Sequence, residues 1–558
     1  MKPIASKPRK ITLAFGVAMI ALGFPLAVRS ASDNVKSVVV DCGRGQTIGD
    51  ALTSGQPATP LLIIIGGTCN ENVHITRDDV TLQGDAVVGG AVNGSDPTRA
   101  AVQLEGARRI VIDGLTLSGA AGGLVGSRGA TYDLKNCIVE NNTRYGVVAS
   151  YGAIGTIDNC QIQRTTGHGV VAANGASIVV TNSTVENNTG GGIAGLRNAH
   201  VRVGQDQAGS GALKPVTIRN NGGNGVEVAD SSSGILVGGV VESSGASGVV
   251  VRRGSSAQIG VGSGGLMGAT TVQHNGRSGI AAISGHVTVL NTTLSRNGHH
   301  GIEVANSGSG RIGIRDDQTA YAGNTIVNNG GHGLHISDGA GASIGGNTIH
   351  GNGTNPTLGW SFGVNILGAS AVLVGNNSVQ GNAGTGVFVS RGGNATIGSP
   401  GWGLPIANTI SANGFTAADK GGIGAYRGAV IDVRDATISG NHGAGVQAHQ
   451  DSIILLRAST VSSNVFASSG FNGGHGILAG LRSTVRLRDG SAVQNNAGDG
   501  VQISDGSAVD FRFGVVSTVT GNGGYGLQCL DGEASYSGVT SGIGSNTLGA
   551  ISPTCTGF

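Results

Sequence analysis

Aromatic residues are scarce in this chain: nineteen in 558. Any place where they gather is therefore informative. Charge is thin and balanced, with 34 Lys and Arg against 32 Asp and Glu, a formal net charge of +2. No basic run lies beyond the N-terminus and no basic–aromatic alternation occurs, which excludes a nucleic-acid partner. Proline is rare, at 11 residues. Glycine shows no three-residue period, so the chain is not collagen-like. Beyond the first 31 residues no apolar stretch is long enough to span a bilayer.

Glycine is abundant, at 104 residues, and it is patterned. Fifteen times a small or polar residue is followed by Gly and then an aliphatic. The aliphatics are Val147, Val170, Ile193, Val226, Val249, Ile280, Ile302, Leu334, Val364, Val387, Ile423, Val446, Ile477, Val501 and Leu527. The glycines are spaced by 23, 23, 33, 23, 31, 22, 32, 30, 23, 36, 23, 31, 24 and 26 residues. A period of about 23 with insertions marks a solenoid, so the length reads as one elongated domain.

Each period can be read locally. In the twelve coils without an insertion before the Gly, the fourth residue before it is Asn in ten, with Thr165 and Ser244 as exceptions. Asn and Gly suit tight or left-handed turns, and stacked Asn can hydrogen-bond along the axis. After the Gly, positions one and three are aliphatic or small and positions two and four vary, a strand with one buried face. A second strand precedes the Asn (Thr184-Val185-Glu186), and a third ends in Ile-Gly or Val-Gly (Ile259-Gly260, Ile397-Gly398). The expected fold is all-β: a single-domain parallel β-helix of about 18 three-strand coils, roughly 85 Å long at the usual strand spacing.

Residues 1–31 read as a signal peptide: Lys2, Lys7, Arg9 and Lys10, an apolar run Ile11 to Leu26, then Val28-Arg29-Ser30-Ala31. A membrane anchor is the alternative, opposed by the short run and by Gly23 and Pro25. Residues 32–60 read as an N-terminal cap with helical spacing in Gln46 to Leu52, 61–528 as the β-helix, and 529–558 as a C-terminal cap. The expected location is outside the cytoplasm, extracellular or periplasmic. No lipid-anchor cysteine stands at the cleavage site.

Six cysteines fit an oxidising compartment. They fall as Cys42 and Cys69, Cys137 and Cys160, Cys529 and Cys555, each pair about one coil apart. Adjacent coils lie inside the Cα window of a disulfide, so three local bridges are expected. For the middle pair, a stack of unlinked thiols stays open.

The segment Ile63-Ile64-Ile65-Gly66-Gly67-Thr68-Cys69-Asn70-Glu71-Asn72-Val73-His74-Ile75, then Val80-Thr81-Leu82-Gln83-Gly84, resembles the opening coils of pectin-lyase-like right-handed β-helix proteins. The later Asn-x-x-x-Gly-Val/Ile coils resemble the repeats of that superfamily. The resemblance implies a right-handed helix, in keeping with the crossover rule. It says little of function, because the fold hosts lyases, hydrolases, esterases, epimerases and adhesins. Polygalacturonase-like signatures are missing except for Gly167-His168-Gly169, Gly331-His332-Gly333 and Gly474-His475-Gly476, which read as repeat phrases. The Asp-Pro-His of alginate-epimerase-like enzymes is absent as well.

Stacking the coils brings chemistry together. His300, His332 and Phe362 precede Gly on three consecutive coils, and Glu303, His335 and Asn365 follow it by two. His300, Glu303, His332 and His335 are the candidate catalytic residues, by general acid–base chemistry. The alternative is that all four are solvated outer-face residues. Three insertions leave one corner, Asn352 to Gly363, Asn413 to Gly422 and Asn464 to Gly476. They hold Trp360, Phe362, Phe415, Phe466 and Phe471, which join Asn365 as candidate substrate contacts, since rings stack on sugars. The alternative is that these rings seal their own loops. Longer insertions at another corner (204–215, 260–270, 313–323, 398–407) carry Arg315-Asp316-Asp317 and Trp402, read as loop residues.

The leading expectation is a secreted polysaccharide-binding protein with an extended groove, a lyase or hydrolase if it is an enzyme. A non-catalytic surface or envelope rod of adhesin type is the alternative, and a periplasmic metal-handling β-helix is a third idea. The sequence requires no cofactor and assigns no metal ligands, and it leaves a divalent cation open. The expected partner is a polysaccharide or cell-surface glycan.

Overall fold

A computed structural model describes residues 35–53, 59–206, 212–317, 320–359, 361–399, 404–415, 421–466, 473–512 and 514–557. The expected signal peptide, Trp360, Trp402 and Phe471 lie outside them. Among the described residues no helix is long and apolar enough to cross a membrane.

Short strands and single left-handed residues alternate through the chain. One coil runs Ile154–Asp158, Gln161–Gln163 and Val170–Ala173. Asn159 (φ 53°) turns the first corner and Arg164 (φ 51°) the second. Each strand pairs in parallel with its counterpart one coil on, so the three strand positions become three sheets. The third sheet runs from Val73–Ile75 to Gly549–Ile551, with nineteen strands among the described residues. The fifteen aliphatics of the repeated phrase form one interior column, each in register with the next, from Val147↔Val170 to Val501↔Leu527. None is more than 4% exposed.

The glycine of the phrase is required by close approach. A Cβ on Gly333 would sit 2.5 Å from Ile349 Cγ2 and 2.7 Å from the Gly363 carbonyl oxygen. The next coil passes directly over this corner.

The Asn of the phrase forms the expected ladder. From Asn275 an unbroken chain of side-chain amides runs through Asn297, Asn329, Asn352, Asn382, Asn413, Asn441, Asn464, Asn496 and Asn522 to Asn546. Asn329 shows the pattern. Its Nδ2 donates to Asn352 Oδ1 (2.9 Å) and to the Leu294 carbonyl (3.1 Å). Its Oδ1 accepts from the backbone N–H (3.1 Å) and Nδ2 (2.9 Å) of Asn297. A fully buried amide is thus fully satisfied. Where two Asn are adjacent they divide the work: Asn328 takes the left-handed turn (φ 55°), and Asn329 is the rung.

The ends are held differently. The helix Ile48–Thr53 packs Ile48 and Ala51 into the core. The Glu71 carboxylate accepts the backbone N–H groups of Ile48 (2.7 Å) and Gly49 (3.1 Å) at its start. Cys42–Cys69 and Cys529–Cys555 are disulfides, each with Cα atoms 5.0 Å apart. Strands Ser535–Gly538, Ile543–Gly544 and Gly549–Ile551 continue the three sheets, so residues after Cys529 add coil rather than a separate lid.

The expected third bridge is absent. Cys137 and Cys160 are buried free thiols. They occupy a corner column whose side chains accept the backbone N–H of the coil before. Leu115 N–H donates to Cys137 Sγ (3.5 Å), Cys137 N–H to Cys160 Sγ (3.4 Å), and Cys160 N–H to Ser183 Oγ (3.0 Å). Each thiol also donates to a backbone carbonyl, Cys137 to Lys135 (3.0 Å) and Cys160 to Asp158 (3.2 Å), so the two neighbouring sulfurs are engaged with backbone without being joined.

Two outcomes are expected. Thiol titration of the unreduced protein should find none reactive while native and two after unfolding; none after unfolding would establish a third bridge. Asn329→Ala leaves the groups of Asn297 and the Leu294 carbonyl unpaired and should lower stability by about 1–3 kcal/mol. Asn328→Gly, which keeps the left-handed turn, should change it by less than about 0.5 kcal/mol. Equilibrium denaturation compares them.

Candidate functional site

The bend at each corner Gly puts the residue before it on the same outer face as the residue two after it. In strands Ile302–Ala305, Leu334–Ser337 and Val364–Leu367 the first and third residues point inward. Glu303, His335 and Asn365 point outward in mutual register. The His300 and His332 rings lie parallel at 4.8 Å, and the His335 ring lies 4.7 Å from His300 and 5.2 Å from His332. The four residues expected to act together are therefore neighbours.

The stack continues further than the sequence reading foresaw. From His332 it passes to Phe362 (5.2 Å), Phe388 (4.3 Å), Tyr426 (5.2 Å) and His449 (5.1 Å), one ring per coil. Most of these rings are nearly parallel, so they cover one another's faces and turn edges outward. Phe362, 4% exposed, gives its faces to His332 and Phe388 and offers no flat platform to a sugar. Phe415 and Phe466, on the insertion corner beside this face, are 49% and 60% exposed and keep that capacity.

The histidines before Gly have a structural task. His300 Nδ1 accepts the backbone N–H of His332 (3.1 Å), and His332 Nδ1 that of Phe362 (2.9 Å). His168 does the same for Gly191 (3.1 Å) and His475 for Asp499 (2.9 Å). Each Gly-His-Gly triplet thus caps the next coil. A nitrogen that accepts an N–H carries a lone pair, so the neutral ring keeps its proton on Nε2. Burial, with the neighbouring His335 and His299, pushes the His300 imidazole down to about 3. His300 and His332 are consequently donors through Nε2 rather than bases.

His335 and Glu303 are left for proton transfer. Burial lowers the His335 pKa, opposed by the charges of Glu303 and Asp338. Glu303 Oε2 accepts from Ser278 Oγ at 2.9 Å. The Asn365 amide lies 3.0 Å from His332 Nε2 and 3.0 Å from His335 Nδ1. It is 5% exposed, and because His332 Nε2 donates, the amide oxygen is the atom that faces it. Among the described residues no three His, Cys, Asp or Glu side chains gather as a metal-binding group.

Beside the stack lies a cleft of about 450 Å³, lined by His332, Phe362, Asn365, Phe388 and Tyr426. Arg391, Arg427 and Gln450 line its far side. These three take the left-handed turn at the end of the third-sheet strand on successive coils (φ 56°, 55° and 57°). Both guanidiniums are exposed and make no ion pair with the described residues. Each of the three stands five residues after its corner Gly, the one regularity that could have revealed them.

The family model described as right-handed β-helix region matches residues 72–208, 203–358, 284–461 and 362–540. The chain belongs to this right-handed β-helix family. No curated protein matches the chain. Among solved structures, this β-helix protein is similar in fold to a mutant of the periplasmic alginate epimerase AlgG, at 13% identity over 57% of this chain and 79% of that one, with a TM-score of 0.37. It is also similar to the A-module of the Azotobacter vinelandii mannuronan C-5 epimerase AlgE6 (15% identity, 83% and 91%, TM-score 0.31). Pectate lyase Pel9A is a third (15% identity, 63% and 81%, TM-score 0.24).

The buried histidines predict a pH dependence. Native His300 stays neutral down to about pH 3, whereas in the unfolded chain it takes a proton near 6.5. Its stabilising contribution is full above the unfolded value and is lost as pH falls from there toward 3. His168 and His335, also lowered by burial, act in the same direction. His300→Phe keeps a ring in the stack and removes one titration. Its urea midpoint should fall less than that of the parent between about pH 7 and pH 4. An unchanged slope would refute the assignment.

Proposed function

We propose that this is an exported β-helix protein that binds an acidic polysaccharide along the outer face of its third sheet. The cleft over the ring stack carries the proposal. It pairs an apolar floor of ring edges with two exposed, unpaired guanidiniums, Arg391 and Arg427, and with the amides of Asn365 and Gln450. Arg binds carboxylates through a planar fork, and well-placed amides fix the orientation of a polar ligand. The exposed rings Phe415 and Phe466 supply stacking surface at the rim. Export is supported by the signal-like residues 1–31 and by the two terminal disulfides.

Catalysis is a second reading, and it rests on Glu303 and His335. They are register neighbours beside the cleft, and His335 is a half-buried imidazole whose pKa burial lowers, with a carboxylate at hand. On this reading His335 takes the proton, and His332 and Asn365 hold the substrate.

Titration calorimetry with polygalacturonate and alginate tests binding. Arg391→Ala with Arg427→Ala should weaken it at least tenfold, about 1.4 kcal/mol, and remove most of its salt dependence. No heat with any acidic polysaccharide would sink the proposal and favour a non-catalytic rod. For catalysis, reducing ends and unsaturated-product absorbance should appear with the parent and vanish with His335→Ala while binding persists.

A further inference from the structure

The outer face of the first sheet carries a separate trough of about 470 Å³. Four stacked strands make its floor, Ser309–Ile312, Gly341–Gly345, Ser370–Gly375 and Asn394–Ile397. Their outward residues fall into two registered rows. Ser309, Gly341, Ser370 and Asn394 form one, and Arg311, Ser343, Val372 and Thr396 the other. The floor is low because most of these side chains are short. His286 bounds it on the coil before, and Val430 with Asp432 on the coil after.

Insertions follow the first and the last of these strands. Arg311 Nη1 donates to the carbonyl (3.2 Å) and the Oδ1 (3.1 Å) of Asp316, pinning the loop that follows its strand. The Tyr321 hydroxyl then donates to the Pro405 carbonyl at 2.7 Å, tying that loop to the insertion three coils on.

The trough is polar but not charged. Arg311 is neutralised by Asp316, and His286 Nδ1 is engaged with Ser309 Oγ at 2.8 Å. The side chains of Ser343, Ser370, Asn394 and Thr396 make no hydrogen bond with the described residues. Elsewhere in this chain serines are spent on the coil before, as Ser452 and Ser483 are at a corner, accepting the N–H of Ala429 and of Ser452. Here four hydroxyl and amide groups on adjacent coils face outward unspent, with Val372 between them.

We propose that this trough is a second carbohydrate site, for an uncharged polysaccharide segment lying along the stack. The hydroxyls and the Asn394 amide meet sugar hydroxyls, and Val372 meets the C–H face of a ring. Nothing here attracts an anion, so the site differs in ligand from the Arg-lined cleft and does not depend on the reading given to that cleft.

Affinity electrophoresis in gels containing galactomannan, xyloglucan or mixed-linkage glucan tests it. A Cβ on Gly341 meets nothing within 4 Å, so Gly341→Trp fills the trough without disturbing the coil. At least one of the three polysaccharides should retard the parent. Gly341→Trp should lose that retardation, and Asn394→Ala, at an exposed position, should weaken it several-fold. Arg391→Ala with Arg427→Ala should leave it unchanged. Circular dichroism confirms folding, and Asn394→Ala decides the matter if Gly341→Trp does not fold. Absence of retardation in all three gels, equal retardation of parent and variants, or loss in the arginine variant would overturn the proposal.

Discussion

Everything in this molecule depends on coil lying directly on coil at one corner. Between the second and third sheets the backbone leaves no room for a side chain, and beneath it an amide must be buried. Gly333 under Gly363, beside Asn352, illustrates both halves of the constraint. Glycine removes the clash, and asparagine fills every donor and acceptor position that the turn exposes. A buried amide lacking its partners costs about as much as the hydrogen bonds gained, so the ladder favours uniformity over many rungs. An aliphatic next to this corner then has a single place to go, the interior column.

The same constraint shapes the outer face. A coil that caps its neighbour with His300 or His332 commits one imidazole nitrogen to structure and leaves the other as a donor. Rings at the strand spacing stack face to face, which stabilises the wall and hides the faces. Binding capacity therefore moves to where the ladder does not consume it. Those places are the turn residues Arg391, Arg427 and Gln450, the insertion rings Phe415 and Phe466, and Asn365.

Much of the fold was legible because its cause is local and repeated. Periodicity marked the strands, the interior column and the Asn ladder, and it placed both terminal disulfides. The same spacing rule failed for Cys137 and Cys160. Distance along the chain shows that two residues share a column, but not whether their side chains are joined to each other or engaged with the backbone of the coil beside them. At the site, the proximity of His300, His332, His335 and Glu303 was legible from register. The tautomers were not, because they are set by backbone N–H groups one coil away. Phe388 and Tyr426 were missed because the ring stack drifts across the strand, from the residue before Gly to the fourth after it.

The sequence by itself determined the scaffold: a glycine-and-asparagine corner recurring about every 23 residues admits one architecture, the stacked parallel coil. It determined too which side of each third-sheet strand is interior, since alternation is a property of neighbouring residues. The tertiary structure alone decided which polar groups remain available. Whether a histidine, cysteine or serine is spent on the coil beside it or turned to solvent depends on contacts between residues more than twenty positions apart. Those contacts exist only once the coils are stacked.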